Sequence, residues 1–127
     1  MKLPCEIAVK SVVPAIRARL AKELIETYSV KQVKTANLLG ITQTAVSKYY
    51  NNVRGSILTI DKDGEISSEV EKTARLLFNG KLDRTQLAIQ ICGICKSIRK
   101  KRLMCKLCQR DPSFDQTECT ICQQLTC

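Results

Sequence analysis

The stretch SVKQVKTANLLGITQTAVSKYY, residues 29–50, decides how the chain folds. Ser29 is a favourable N-cap for a helix over Val30 to Leu39, and Gly40 stands where a chain leaving a helix needs a left-handed residue. Thr42 then caps a second helix from Gln43 to Tyr50, which the turn-forming residues Asn51, Asn52, Arg54 and Gly55 bring to an end. Ala36 is small where two helices cross closely, while Val33, Leu39, Ile41, Val46 and Tyr49 or Tyr50 supply an apolar rear that sets the angle between them. The polar residues of the second helix, chiefly Gln43, Thr44, Ser47 and Lys48, are left facing outward.

This stretch resembles the helix-turn-helix of lambda-repressor/Cro-like regulators, the xenobiotic-response-element type, and the likeness covers residues 29 to 51. It implies that the helix Gln43–Tyr50 enters the major groove of double-stranded DNA with its N-terminal end at the base edges. Gln43 is then the leading base reader, because its amide can pair bidentately with adenine, with Thr42 at the cap and Thr44, Ser47 and Lys48 beside it. Gln32, Lys34, Lys48, Asn51 and Arg54 are the expected phosphate contacts. The plainer alternative is a pair of helices that only packs, but polar and basic residues at the outward positions favour DNA.

Upstream, Pro4 can open a short helix to Val12 or Val13, and Pro14 suits the first turn of another that runs to about Tyr28. Ile16, Leu20 and Leu24 share one face of it, with Val13, Ala21 and Ile25 alongside, while Arg17 and Arg19 lie opposite and are read as solvating side chains, with contact to the DNA backbone as the alternative. Downstream, SILTIDKDGEI looks extended, turning at Asp63–Gly64. The capping box Ser68-x-x-Glu71 predicts a helix from Glu69 to Phe78, with Val70, Ala74, Leu77 and Phe78 on its apolar side and Asn79–Gly80 at its end. Asp83 caps a last long helix on which Leu87, Ile91, Ile94 and Ile98 recur with helical period. That stripe is the expected dimer seam, with a place in the chain's own core as the alternative.

The charge is uneven. Of a net +9 over 127 residues, positions 1–56 carry nine basic and three acidic side chains, 57–90 five and six, and 91–127 seven and three. A basic segment around the reading helix suits phosphate contact through counterion release. No run approaches the ~18 apolar residues of a membrane span, and MKLPCEIAVK lacks a signal peptide's order of basic then apolar residues. A cytoplasmic protein without membrane contact is expected, whose thiols, kept reduced, read as metal ligands or redox sensors before disulfides. With no histidine, no Gly-rich phosphate loop and no nucleophile–base pair, nothing points to an enzyme.

Seven of the eight cysteines follow residue 91, as the pairs Cys92-x2-Cys95, Cys105-x2-Cys108 and Cys119-x2-Cys122, then Cys127. Each pair can bite one metal, and the chain between pairs is long enough to bring the next pair round. All-thiolate ligation suits tetrahedral zinc or an iron–sulfur cluster, and spacing leaves both open. Beyond residue 102 there are too few apolar side chains to order the chain, so metal binding should supply its folding energy. The cations Lys96, Arg99, Lys100, Lys101, Arg102, Lys106 and Arg110 can offset the charge of about −2 left by four thiolates, although a second DNA-contacting patch or a solvated helix end fits them too. Cys5, in an apolar helical start, reads as a small buried hydrophobe.

From LPCEIAVKSVVPAIRARLAKEL, residues 3–24, to ICGICKSIRKKRLMCKLC, residues 91–108, and the closing C-x2-C pair, the chain looks like a group of predicted archaeal transcription regulators of this helix-turn-helix class. The resemblance implies a cysteine-rich C-terminus that holds an iron–sulfur cluster, a 4Fe-4S centre, sensing iron or redox state. Cys92, Cys95, Cys119 and Cys122 are its best-matched ligands, with Cys105 or Cys108 substituting for one of them. The alternative is a constitutive DNA-binding protein with a structural zinc site held by four thiolates. The expectation is an all-α protein: a helix-turn-helix domain over 1–80, then a long connecting helix and a metal-stabilised cysteine-rich tail over 81–127, assembled as a homodimer on DNA.

Overall fold

Ile16, Leu20 and Leu24 have no solvent exposure, and the helix that carries them touches every other helix. The computed structural model describes residues 4–51, 63–101 and 103 and, within the first helix, the side chains of residues 6 and 8–10. The described residues form six α-helices and no strand: α1 (Pro4–Lys10), α2 (Val12–Glu26), α3 (Gln32–Leu39), α4 (Gln43–Tyr50), α5 (Gly64–Phe78) and α6 (Arg84–Lys100). Pro14 lies in the first turn of α2, where its missing N–H costs no hydrogen bond. The central α2 buries Val12, Ala15, Ile16, Leu20, Ala21 and Leu24, and each fully buried Leu or Ile contributes about 1.5–3 kcal/mol.

Four expectations change. Ser29 does not cap the next helix; it has φ 55°, and the Val30 N–H returns to the Leu24 carbonyl at 3.0 Å. Ser29 therefore ends α2, because Val30 is drawn into the core at 6 % exposure, and α3 starts after Lys31 with no side-chain cap. Asp63–Gly64 is a helix start and not a turn in an extended stretch: Asp63 Oδ1 accepts from the N–H groups of Glu65 (3.0 Å) and Ile66 (3.1 Å), so α5 starts at Gly64. That start puts Ile66 in line with Val70, Ala74 and Leu77, all buried, and leaves Ser68 and Glu71 inside the helix. Residues 56–62 of the expected extended stretch lie outside the described residues.

The third change concerns α6. Its stripe Leu87, Ile91, Ile94 and Ile98 is buried against α2 and α5 in the same core, so the intrachain role holds and the stripe is not available as a dimer seam. Phe78, expected inside, is 44 % exposed and stacks on Tyr28 with ring centroids 4.7 Å apart.

Candidate nucleic-acid interface

Local chemistry sets the position of α4. The chain leaves α3 through Gly40 at φ 67°, with Ile41 N–H bonded to the Ala36 carbonyl (3.0 Å) and Gly40 N–H to that of Asn37 (3.3 Å). This double bond pattern closes the helix end and turns half-buried Ile41 into the core. Two residues after Gly40, Thr42 Oγ1 accepts from Ala45 N–H at 3.1 Å and starts α4.

On α4 the rear is apolar and buried, with Ala45 at 9 %, Val46 at 0 % and Tyr49 at 5 % exposure. Gln43, Thr44 and Lys48 are exposed, Ser47 is half-buried, and Asn51 is exposed at the C-terminal cap. Positions 43, 44, 47, 48 and 51 fall along one side of a helix of 3.6 residues per turn, so these polar groups form a continuous front. Thr42 is exposed beside them, Gln32 is half-buried at the start of α3, and Lys34 is exposed. Arg54 lies outside the described residues.

On α3 the expected rear needs a correction. Val33 is 56 % exposed, and Thr35 at 0 % exposure takes the inward place together with Ala36 and Leu39. Thr35 stands two residues from Val33, about 200° around the helix, so the buried face keeps Ala36 and Leu39 of the expected rear and takes in Thr35 on their other side. Of the other expected rear residues, Tyr49 is buried and Tyr50 is half-buried.

Two features had no local signal. Arg84, the first residue of α6, lies over Gly40: a Cβ at position 40 would stand 2.8 Å from its Nη1 and 3.3 Å from its Cζ. Lys101, just past α6, bonds Asp63 (3.1 and 3.2 Å) and Glu65 (2.7 Å). Arg19 pairs with Glu23 at 2.8 Å and is mostly buried, so it is more than a solvating residue.

Of the sequence-predicted thiols, Cys92 is exposed and Cys95 is buried at 7 % exposure. They stand one helical turn apart on α6 and line an apolar cleft of about 260 Å³. Ala8, Val9 and Val13 form its other wall, and Arg99 lies on the thiol side. The cations expected around the thiols divide: Arg99 is buried within that cleft, Lys96 is half-buried, Lys100 is exposed, and Lys101 is held by carboxylates. Cys105, Cys108, Cys119, Cys122 and Cys127, the Cys5 side chain, Arg102, Lys106 and Arg110 lie outside the described residues. Among the described residues no group of three or more His, Cys, Asp or Glu side chains is placed to hold a metal. Two thiols on one helix face with a buried guanidinium beside them do fit half of an all-thiolate set.

Among the described residues, no helix is long and apolar enough to cross a membrane. The described residues define an all-helical fold in which the front of α4 is polar and outward. Comparison with protein-family models, with curated proteins and with solved structures gives no match.

Proposed function

We propose that this chain is a sequence-specific DNA-binding transcription regulator, that α3 and α4 form its helix-turn-helix, and that its C-terminal cysteines hold a metal centre. The observation that carries the reading is the division of α4 into an apolar rear and a polar front in which Gln43, Thr44, Ser47 and Lys48 keep access to solvent. A helix in that setting can enter a major groove and present an amide, two hydroxyls and an ammonium to base edges and phosphates. Gln43 reads bases, Thr44 and Ser47 assist, and Lys48, Asn51 and Gln32 hold the backbone. The surplus of basic residues over positions 1–56 supports the same reading.

Cys92 and Cys95 would contribute two thiolates to the centre, with further ligands from Cys105, Cys108, Cys119 and Cys122, and an iron–sulfur cluster that senses iron or redox state is the proposed occupant. Once bound, such a cluster supplies an oxidisable group whose presence ties α6 to the residues beyond it. Arg99 places a fixed positive charge beside the two thiols. The proposed homodimer must use a surface other than the Leu87–Ile98 stripe, which is buried within the chain.

Selection of bound sequences from a pool of random duplexes tests the DNA reading: the wild type should enrich one motif, and Gln43→Ala should lose the preference at one or two base positions. No enrichment, with binding no better than that of an unrelated basic protein, refutes it. Iron, sulfide and zinc content after purification without oxygen tests the centre. Iron with acid-labile sulfide is expected, whereas zinc alone would make the centre structural and leave the DNA reading standing.

A further inference from the structure

We propose that Arg84 is a DNA phosphate contact, so that the thiol-bearing helix α6 stands directly on the nucleic acid beside the reading helix; this rests on the DNA-binding reading above. The guanidinium lies on the Gly40 turn so closely that a Cβ there would come within 2.8 Å of Nη1. Gly40 is three residues ahead of Gln43, the first residue of α4, with exposed Thr42 between them. The fold thus brings a cation from the near-neutral middle of the chain to the end of α4 that meets the bases.

Among the described residues the guanidinium meets the C-terminal end of α3 at Gly40, whose partial negative charge balances only part of it. Arg84 is exposed and forms no ion pair with any of them. The adjacent carboxylate, Asp83, is engaged in a reciprocal cap with Gln86, its Oδ1 accepting from Gln86 N–H at 2.8 Å while Gln86 Oε1 accepts from Asp83 N–H at 2.9 Å. A positive side chain in a helix's first turn also opposes the helix dipole, so Arg84 works against the stability of α6. A polyanion lying along the α4 front supplies a full counter-charge to the guanidinium and offsets its conflict with the α6 dipole.

The consequence concerns signalling. Cys92 stands on the same helix as Arg84, about 12 Å along it at 1.5 Å per residue. A displacement of α6 by metal gain or loss at Cys92 and Cys95 therefore moves a phosphate contact within one chain and needs no rearrangement between subunits.

The experiment titrates the full chain into a fluorescein-labelled mixed-sequence DNA duplex over a series of salt concentrations, for wild type, Arg84→Gln and Arg84→Lys, with thermal unfolding of each. Arg84→Gln should weaken binding alike on all sequences and lower the slope of log affinity against log salt by about 0.9, the value of one phosphate contact. Arg84→Lys should keep the slope, and Arg84→Gln should unfold no earlier than the wild type. A wild type that binds with a slope unchanged in Arg84→Gln overturns this proposal alone. A variant that loses slope only because it unfolds earlier, without rescue by lysine, overturns it in favour of a structural role. A wild type that binds no duplex at any salt removes the DNA reading and this proposal together.

Discussion

Lys101 Nζ lies 3.1 Å from Asp63 Oδ1, which fastens the end of the thiol-bearing helix to the first turn of α5. Asp63 serves two roles through one carboxylate, because the same oxygen also receives the Ile66 N–H as a helix cap. The neighbouring Glu65 completes the clamp at 2.7 Å, so Lys101 is engaged by two carboxylates.

This clamp predicts a pH profile. The Ile66 N–H, and after it Lys101, hold the Asp63 carboxyl below its ordinary 3.8. Glu65, and after it Asp63, hold the Lys101 ammonium above its ordinary 10.5. A carboxylate lowered in the folded state stabilises above its unfolded value and loses that contribution as pH falls through the lowered one. A raised ammonium stabilises below 10.5 and loses its contribution as pH rises through the raised value. The thermal midpoint should thus be flat between the two limits as far as this clamp is concerned. Lys101→Met should remove the clamp's alkaline dependence and leave part of the acid one, since the Ile66 bond remains. The effect is small because the groups are solvated, and a variant whose acid limb vanished entirely would show that the cap contributes nothing.

Ile94 and Ile98 test where the α6 stripe belongs. Both are nearly without exposure in the core formed with α2 and α5. Ile94→Ala or Ile98→Ala should cost about 2–5 kcal/mol in urea unfolding, independent of protein concentration. If either variant unfolded like the wild type and changed only the oligomeric state, the stripe would be a seam between subunits.

Thr35 gives a prediction of opposite sign. Its Oγ1 is fully buried without a hydrogen-bond partner, whereas the comparable Thr73 hydroxyl donates to the Glu69 carbonyl at 2.9 Å. Replacing the orphaned hydroxyl by a methyl of similar shape removes a desolvated polar group. Thr35→Val should therefore stabilise the protein by about 1 kcal/mol, while Thr73→Val should not. Destabilisation of Thr35→Val in chemical unfolding would mean that the hydroxyl does find a partner in solution.

These residues also show which parts of the molecule a sequence can reveal. Thr42, Asp83 and Gly40 act on backbone groups within five positions of themselves, so their roles and the bounds of α4 follow from local chemistry. The Ile16, Leu20 and Leu24 face of α2 is legible for a related reason, since its period repeats within one helix. Ser29 and Asp63 mislead because a better solution lies next to each: Val30 is worth more in the core than Ser29 as a cap, and Ile66 gains burial once α5 starts early. Thr35 in place of Val33 depends on a rotation of α3 set by α2 and α4. The meetings of Arg84 with Gly40 and of Lys101 with Asp63 join segments far apart in the chain, and no nearby residue announces them. Of the candidate site, the α4 front is readable in full, and the thiol pair only as ligands, without the cleft and the buried Arg99 that surround it.

Gly40 and Gly80 allow the Arg84 contact to be separated from backbone strain. Both end a helix in the left-handed region, at φ 67° and φ 70°, and both are followed by an N–H that returns five residues to a helix carbonyl. A Cβ at Gly80 would meet nothing within 4 Å, whereas one at Gly40 would press on the Arg84 guanidinium. Gly80→Ala should cost about 1 kcal/mol, the strain of a left-handed alanine alone. Gly40→Ala should carry the same strain and in addition push Arg84 off its seat, so its loss of DNA affinity should exceed that of Gly80→Ala. In an Arg84→Gln background the excess should largely disappear, because the displaced group no longer carries charge to the DNA. Urea unfolding and duplex titration of these proteins measure both quantities, and an excess that persisted undiminished without Arg84 would assign it to distortion of the turn itself.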